Sequence, residues 1–190
     1  NVYYAMALAG FIKEINKDII VVVGGRHFTA MSRESLTLCQ DIDYIIVGEG
    51  EVTFLELVKN IFAGKKKDMA HVKGLVYQVD NKVIETDKRP LIEDLNSLPV
   101  PAYHLINLGK RRVPIVKNNN IACTFSRGCA QGCTFCTDIF LWQKKWRSRD
   151  ARRIVDELEL LLHTYGREDF NFNDTDFLSE RKRNVEFLEE

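Results

Sequence analysis

Apolar residues recur at Val2, Ala5, Met6, Ala9, Ile12 and Ile15, a spacing that predicts an amphipathic helix over residues 2–17. Asn16-Lys17-Asp18 breaks the pattern. Ile19 to Val23 is a continuous β-branched run, which predicts a strand buried on both faces and closed by Gly24-Gly25. Tyr44 to Val47 is a second short apolar run, closed by Gly48-Glu49-Gly50-Glu51. From Thr53 to Phe62, residues Phe54, Leu57, Val58 and Ile61 share a helical face. The order helix, strand, loop, strand, helix is that of the back half of a parallel, doubly wound sheet.

Gly64 to Asp68 is a lysine-rich break that reads as a solvated turn. Gly74 to Thr86 alternates apolar and polar residues around Asp80-Asn81-Lys82, which predicts a β-hairpin. Pro90, Pro99 and Pro101 punctuate a linker. Ile121 to Phe125 predicts another buried strand, running directly into a cysteine-rich loop. Residues 152–165 carry a helical stripe of Ile154, Val155, Leu158, Leu161, Leu162 and Tyr165, with Asp150 placed to cap it and Gly166 to stop it. Asp169 to Asn173 alternates as a strand. Strand, loop, helix, strand is the start of a βα barrel or a related α/β fold. Three segments are therefore expected: 1–63, an α/β unit; 64–113, a hairpin and proline-containing linker; and 114–190, a second α/β unit.

Composition narrows the function classes. The chain has 190 residues, 45% hydrophobic and 28% charged, an ordinary globular balance. Lys+Arg and Asp+Glu each number 27, so the net charge is zero, which argues against nucleic acid as the main partner. No apolar run approaches the roughly 20 residues of a membrane span, and the N-terminus lacks the pattern of a signal peptide. The cytoplasm is the expected location. Asn1 stands where a Met would begin a protein and both ends carry helical pattern, so the chain is expected to be an internal piece of a longer protein.

The chemistry concentrates in Cys129-Ala-Gln-Gly-Cys133-Thr-Phe-Cys136. Thiolates spaced by three residues and then two can wrap one small metal centre from a single loop. Three protein ligands on a four-iron cluster leave one iron open to a chelating small molecule. Arg127, Gly128 and Gly132 add positive potential and freedom of the backbone. The alternative is a structural zinc knot completed by Cys123, although zinc sites usually pair two-residue spacings across a longer gap. Cys123 and Cys39 both lie in apolar surroundings and read as core residues.

The string Ser126-Arg-Gly-Cys129-Ala-Gln-Gly-Cys133-Thr-Phe-Cys136 resembles the signature of radical S-adenosylmethionine (SAM) enzymes that carry an N-terminal cobalamin (B12)-binding domain. The resemblance implies a partial Rossmann-like cobalamin-binding domain over 1–63 and the start of a radical SAM partial TIM barrel over 114–190. It implies a 4Fe–4S cluster on Cys129, Cys133 and Cys136, SAM chelating the open iron, and Phe135 packed near the adenine. A 5′-deoxyadenosyl radical would then methylate or oxidatively cyclise a small-molecule substrate. The one-electron donor would be of the flavodoxin or ferredoxin kind. The acidic stretch after the second barrel strand reads Asn173-Asp174-Thr175-Asp176-Phe177, and Asp174, then Asp176, are candidates to meet the SAM amino group. Helix capping by Asp174 or Thr175 is the other reading of that stretch. Trp142, Trp146, Arg147 and Arg149 follow the cysteine loop and read either as part of the site or as surface packing.

Gly24, Gly25 and His27, and Gly48, Glu49 and Gly50, lie where strands end, the place where open α/β sheets bind cofactors. Alone, such loops can be tight turns. The resemblance implies that they flank the nucleotide tail of cobalamin. The Asp-x-His-x-x-Gly motif of some relatives is not in the sequence, and His27 is not that histidine by position. The later barrel units are also missing, so this piece alone is expected to be inactive. His71, His104 and His163 read as surface or packing residues. Within the family, the stretch from Cys136 to Asp150 is similar to the anaerobic magnesium-protoporphyrin monomethyl ester cyclase group. A tRNA methylthiotransferase-like enzyme shares the three-cysteine motif but needs three more cysteines in its N-terminal domain, where only Cys39 lies here. A non-catalytic metal-binding module is the remaining alternative.

Overall fold

The computed structural model describes residues 2–65, 68–106 and 120–190. The expected boundary at residue 113, and Lys66 and Lys67 of the lysine-rich turn, lie outside the described residues. The chain divides into two compact units, Asn1–Leu91 and Ile92–Glu190.

The first unit runs α1 (Val2–Ile15), β1 (Val22–Val23), α2 (Arg26–Ala30), α3 (Ser32–Leu38), β2 (Tyr44–Ile46), α4 (Gly50–Phe62), β3 (Leu75–Val79) and β4 (Lys82–Glu85). Its sheet has the order β1-β2-β3-β4. β1 and β2 are parallel, with Val22 beside Tyr44. β3 is antiparallel to β2, and β4 to β3. The hairpin is thus the far side of the same sheet rather than a separate feature. Its tip is Asp80 and Asn81, both at positive φ (47° and 63°), the backbone that a two-residue turn between twisted strands requires.

Strand alternation divides the core between the two faces of the sheet. Ile45 and Val76 pack with Ala9, Leu36 and Ile42 on one face. Tyr44, Ile46, Leu75 and Tyr77 pack with Leu57, Met69 and Val72 on the other. β1 is shorter than the β-branched run predicted: Val21 O still accepts from the Asp43 and Tyr44 N–H groups, at 3.0 and 3.2 Å, but the Val21 N–H and the Ile19 carbonyl turn to side chains. Val21 donates its N–H to Asp43 Oδ2 at 2.6 Å, and Lys13 Nζ donates to Ile19 O at 2.6 Å and to Asp43 Oδ2 at 2.7 Å.

The second unit has two short 3-10 turns (Leu95–Ser97 and Tyr103–Leu105) before its strands. It continues β5 (Ile121–Cys123), β6 (Ser126–Arg127), α5 (Asp138–Trp142), β7 (Arg147–Ser148), α6 (Ala151–Tyr165), β8 (Phe170–Phe172) and α7 (Arg181–Glu189). β5 and β8 are parallel neighbours with α6 on the crossover between them, the βαβ arrangement expected of a barrel start. β6 and β7 form a two-residue antiparallel ribbon. Cys123, Phe125, Ile154 and Leu161 make the core with Tyr103, and Phe172 meets Phe125 edge to face at 5.3 Å. α6 ends at Gly166 with φ 61°, as the sequence predicts. Asp150 occupies the N-cap position without a capping bond from its side chain; its backbone N–H donates to Asn96 Oδ1 at 2.9 Å.

Candidate functional site

The cysteine loop is an excursion between the two strands of the β6–β7 ribbon, launched from the carboxyl end of β5. The ladder between β5 and β8 makes its last rung where Asn173 donates N–H to Cys123 O at 2.8 Å. Beyond it, the side chain of Asp174 takes over. Its Oδ1 accepts from the Phe125 N–H at 3.0 Å, from the Ser126 N–H, and from the Ser126 hydroxyl at 2.5 Å. This is why the strand predicted to reach Phe125 ends at Cys123.

Gly128 sits at the loop's entrance with φ 86°, and a Cβ there would lie 2.0 Å from Lys145 O and 3.0 Å from Trp142 Cβ. The close approach of the two roots therefore depends on glycine. Cys129 is half-buried, Cys133 exposed and Cys136 half-buried, and all three thiols are free. The Cys129 sulfur accepts the Gln131 N–H at 3.4 Å and lies 3.9 Å from Asp176 Oδ2. Phe135 is 89% exposed. Among the described residues, no three His, Cys, Asp or Glu side chains converge closely enough to hold a metal. The three thiols thus share a loop but are not drawn together. By donor chemistry they fit an iron–sulfur cluster: soft, accessible sulfur ligands on one loop.

Cys123 does not belong with them. It is 2% exposed within the core, and burial, then the Glu157 carboxylate, pushes its thiol up to about 11. Cys123 packs with Phe125 and Ile154 rather than facing the cysteine loop, which argues against it as the fourth ligand of the zinc knot considered from the sequence. Cys39 is likewise buried, packed with Ala9 and Leu36.

Asp174 and Thr175 do not start a helix, so the capping reading of that stretch fails; α7 begins only at Arg181. Thr175 Oγ1 donates to Asp138 Oδ2 at 3.0 Å instead. Trp146 Nε1 donates to Asp176 O at 2.6 Å. Arg147 and Arg149 are each 7% exposed, so the surface reading of these arginines is corrected. Arg147 donates to Ile92 O at 2.6 Å. Arg149 pairs with buried Glu157 at 3.2 Å and donates to Pro99 O at 3.0 Å, while the Tyr103 hydroxyl donates to Glu157 Oε1 at 2.6 Å. Sequence reasoning missed Glu157. Its signal was position: it falls on the face of α6 that buries Ala151, Ile154 and Leu161.

In the first unit the two glycine loops leave the carboxyl ends of the parallel pair β1 and β2. They are joined directly, because the Gly48 N–H donates to Thr29 Oγ1 at 3.0 Å. Gly24, Gly25, His27 and Gly48 are exposed, Gly50 is half-buried, and Glu49 is buried. Gly25 precedes α2 at φ 94°, ψ −177°, a conformation essentially confined to glycine. His71, His104 and His163 are exposed.

Comparison with known proteins agrees with this division of labour. The B12-binding domain family matches residues 1–58. An uncharacterized methyltransferase of Pyrococcus horikoshii is 33% identical over 184 residues, covering 97% of this chain and 39% of its own length. The anaerobic magnesium-protoporphyrin IX monomethyl ester cyclase of Rubrivivax gelatinosus is 35% identical over 192 residues, covering 100% of this chain and 34% of its own. The chain therefore spans little more than a third of these relatives. The radical S-adenosylmethionine methyltransferase TsrM of Kitasatospora setae, solved with its tryptophan substrate and a SAM analog, has the same fold. Its TM-score is 0.71 at 21% identity, over 99% of this chain and 35% of that protein. Residues 1–58 thus belong to the B12-binding domain family, and across both units the chain is similar to the methyltransferase and cyclase relatives and shares its fold with a radical S-adenosylmethionine methyltransferase.

Proposed function

We propose that the parent protein of this chain is a cytoplasmic cobalamin-type radical SAM enzyme acting on a small-molecule substrate by methylation or oxidative cyclisation. The observation that supports it best is the cysteine loop itself: three accessible thiols on an excursion rooted at the carboxyl ends of β5 and β8. When bound, a 4Fe–4S cluster on Cys129, Cys133 and Cys136 supplies the electron that cleaves SAM to a 5′-deoxyadenosyl radical, and cobalamin supplies methyl-transfer or redox chemistry.

The chain's own residues hold and orient. Phe135, exposed beside Cys136, offers a flat apolar surface for the adenine. Asp176 presents its carboxylate next to Cys129 and can accept from the SAM ammonium group; Asp174, two residues earlier, has one oxygen committed to the strand ends. In the first unit, Gly24, Gly25, Gly48 and Gly50 let a large cofactor approach the backbone, and His27 and Glu49 border that surface for the cobalamin nucleotide tail. TsrM, solved with cobalamin and a [4Fe-4S] cluster bound, carries both cofactors on this fold. A flavodoxin- or ferredoxin-type protein would deliver the electron. Among the described residues no helix is long and apolar enough to cross a membrane.

Anaerobic reconstitution of the chain with iron and sulfide, followed by electron paramagnetic resonance of the reduced protein, tests the reading. A 4Fe–4S signal that changes when SAM is added is expected. Zinc in place of iron, or a cluster indifferent to SAM, would overturn it in favour of a structural metal module.

A further inference from the structure

We infer that Asp174 is a positioning residue for the cysteine loop, a carboxylate brace that fixes where the first thiol sits. The inference rests on the reading that this loop carries the cluster.

The need for a brace follows from the backbone. A chain that leaves a parallel ladder to form a loop strands its next amide groups, and a buried N–H without a partner costs about 1–3 kcal/mol. Here the stranded groups are the N–H of Phe125, a residue 1% exposed, and the N–H and hydroxyl of Ser126, also 1% exposed. One oxygen of Asp174 accepts from all three. The second oxygen, Oδ2, is buried and has no hydrogen-bond partner among the described residues, so the carboxylate's bonding is spent on the loop's first root.

The same segment also holds the second root. Two residues on, the carbonyl of Asp176 accepts from Trp146 Nε1 at 2.6 Å and is approached by Ser126 Oγ at 3.4 Å. Trp146 immediately precedes β7, which pairs with β6. Residues 174–176 therefore tie together the entry and the exit of the cysteine loop, across a sequence separation of 48 residues for the Asp174–Ser126 bond. The consequence at the site is the 3.9 Å approach of the Asp176 carboxylate to Cys129. Removing the Asp174 carboxylate frees two buried amides and lets the root rotate, and with it the first ligand and its acidic neighbour.

The variants are Asp174→Ala, which removes the acceptor, Asp174→Asn, which keeps an acceptor oxygen without the charge, and Ser126→Ala, which removes a single donor. Amide hydrogen exchange is measured first on the metal-free chain. Phe125 and Ser126 are expected to exchange at least roughly tenfold faster in Asp174→Ala, to be largely restored in Asp174→Asn, and to change modestly in Ser126→Ala. Each chain is then reconstituted, and its iron content and the SAM-induced change in the resonance of the reduced cluster are recorded. Asp174→Ala should lose or alter the SAM-induced change, with Asp174→Asn close to wild type. Wild-type exchange in Asp174→Ala would overturn the brace, as would an unaltered SAM response. So would an Asp174→Asn variant as defective as Asp174→Ala, since charge rather than the acceptor would then be the cause. A wild-type chain that takes up no cluster would instead remove the reading the inference rests on, while the exchange rates would still decide whether the carboxylate braces the root.

Discussion

The glycine loops after β1 and β2 and the cysteine loop after β5 occupy the same place in their sheets, beyond the carboxyl ends of a parallel pair. They are built on different principles. The glycine loops are brief, with helices α2 and α4 beginning at once, and the Gly48 N–H is held to Thr29 Oγ1. On the function proposed above, what suits them to a ligand is what they lack: side chains that would keep a large cofactor away. The cysteine loop is long, held at its two roots and left open in the middle, where Cys133 is exposed and Cys129 and Cys136 are half-buried. A surface that receives a preformed organic cofactor can be finished in advance. A loop that must be completed by a metal centre need only be anchored.

The largest expected effect separates the thiols. Cys133→Ala should abolish nearly all reconstituted iron, because a cluster held by three thiolates cannot be held by two. Cys39→Ala should leave iron loading unchanged, since Cys39 is packed in the core of the first unit. Iron and sulfide per chain after anaerobic reconstitution and desalting distinguish these outcomes. Full iron loading in Cys133→Ala would show that the loop is not the ligand set.

Next comes the anchor. Gly128→Ala should cost about 3 kcal/mol or more, because strain at positive φ adds to a clash with backbone that cannot move without breaking the β6–β7 ribbon. Both tryptophans, Trp142 and Trp146, belong to the second unit, so the urea midpoint of tryptophan fluorescence reads this loss directly. A shift of only a few tenths of a kcal/mol would mean that the roots are not in close contact.

High pH should also distinguish the units. In the second, burial and then Glu157 push the Cys123 thiol from 9.0 up to about 11. Tyr103 is raised as well, by burial first and then by its bond to Glu157. A raised value means that the folded state holds its proton more tightly, so the stability is fully present below the unfolded pKa. It falls as pH rises through the folded one. For Cys123 that window runs from about pH 9 to about pH 11 and corresponds to about 2–3 kcal/mol at full ionisation. In the first unit, burial raises Tyr44 and Tyr77 from 10.0, so its losses begin later. Cys123→Ala should flatten the early part of the alkaline decline in tryptophan-detected stability. An equally steep decline from pH 9 in that variant would refute the assignment.

The difference between the regions also explains what the sequence revealed. α1, α4, α6 and the β3–β4 hairpin were legible because their signals are periodic and local. The barrel-like placement of the cysteine loop followed from the strand before it. The Asp174 bonds to Phe125 and Ser126 were not legible, since nothing local to Asn173-Asp174-Thr175 indicates a partner 48 residues away. The same holds for Arg149, Glu157 and Tyr103, which look like surface residues until the fold buries them together. β1 and β5 are both shorter than their apolar runs where an aspartate side chain, Asp43 in the first unit and Asp174 in the second, accepts a backbone N–H in place of a strand partner.

The smallest expected effect on stability carries the sharpest contrast with Gly128. Gly48 is also at positive φ, 80°, but a Cβ there would meet nothing within 4 Å. Gly48→Ala should therefore cost only the conformational penalty, about 1 kcal/mol, against about 3 or more at Gly128. The added methyl group would project into open space above the joined loops, where cobalamin is proposed to lie. Cobalamin retention on gel filtration, followed by its visible absorbance, should fall more than stability does. If Gly48→Ala lowered stability slightly and left cobalamin retention untouched, the open space above Gly48 would not be the cofactor's surface. The glycine would then serve only the turn.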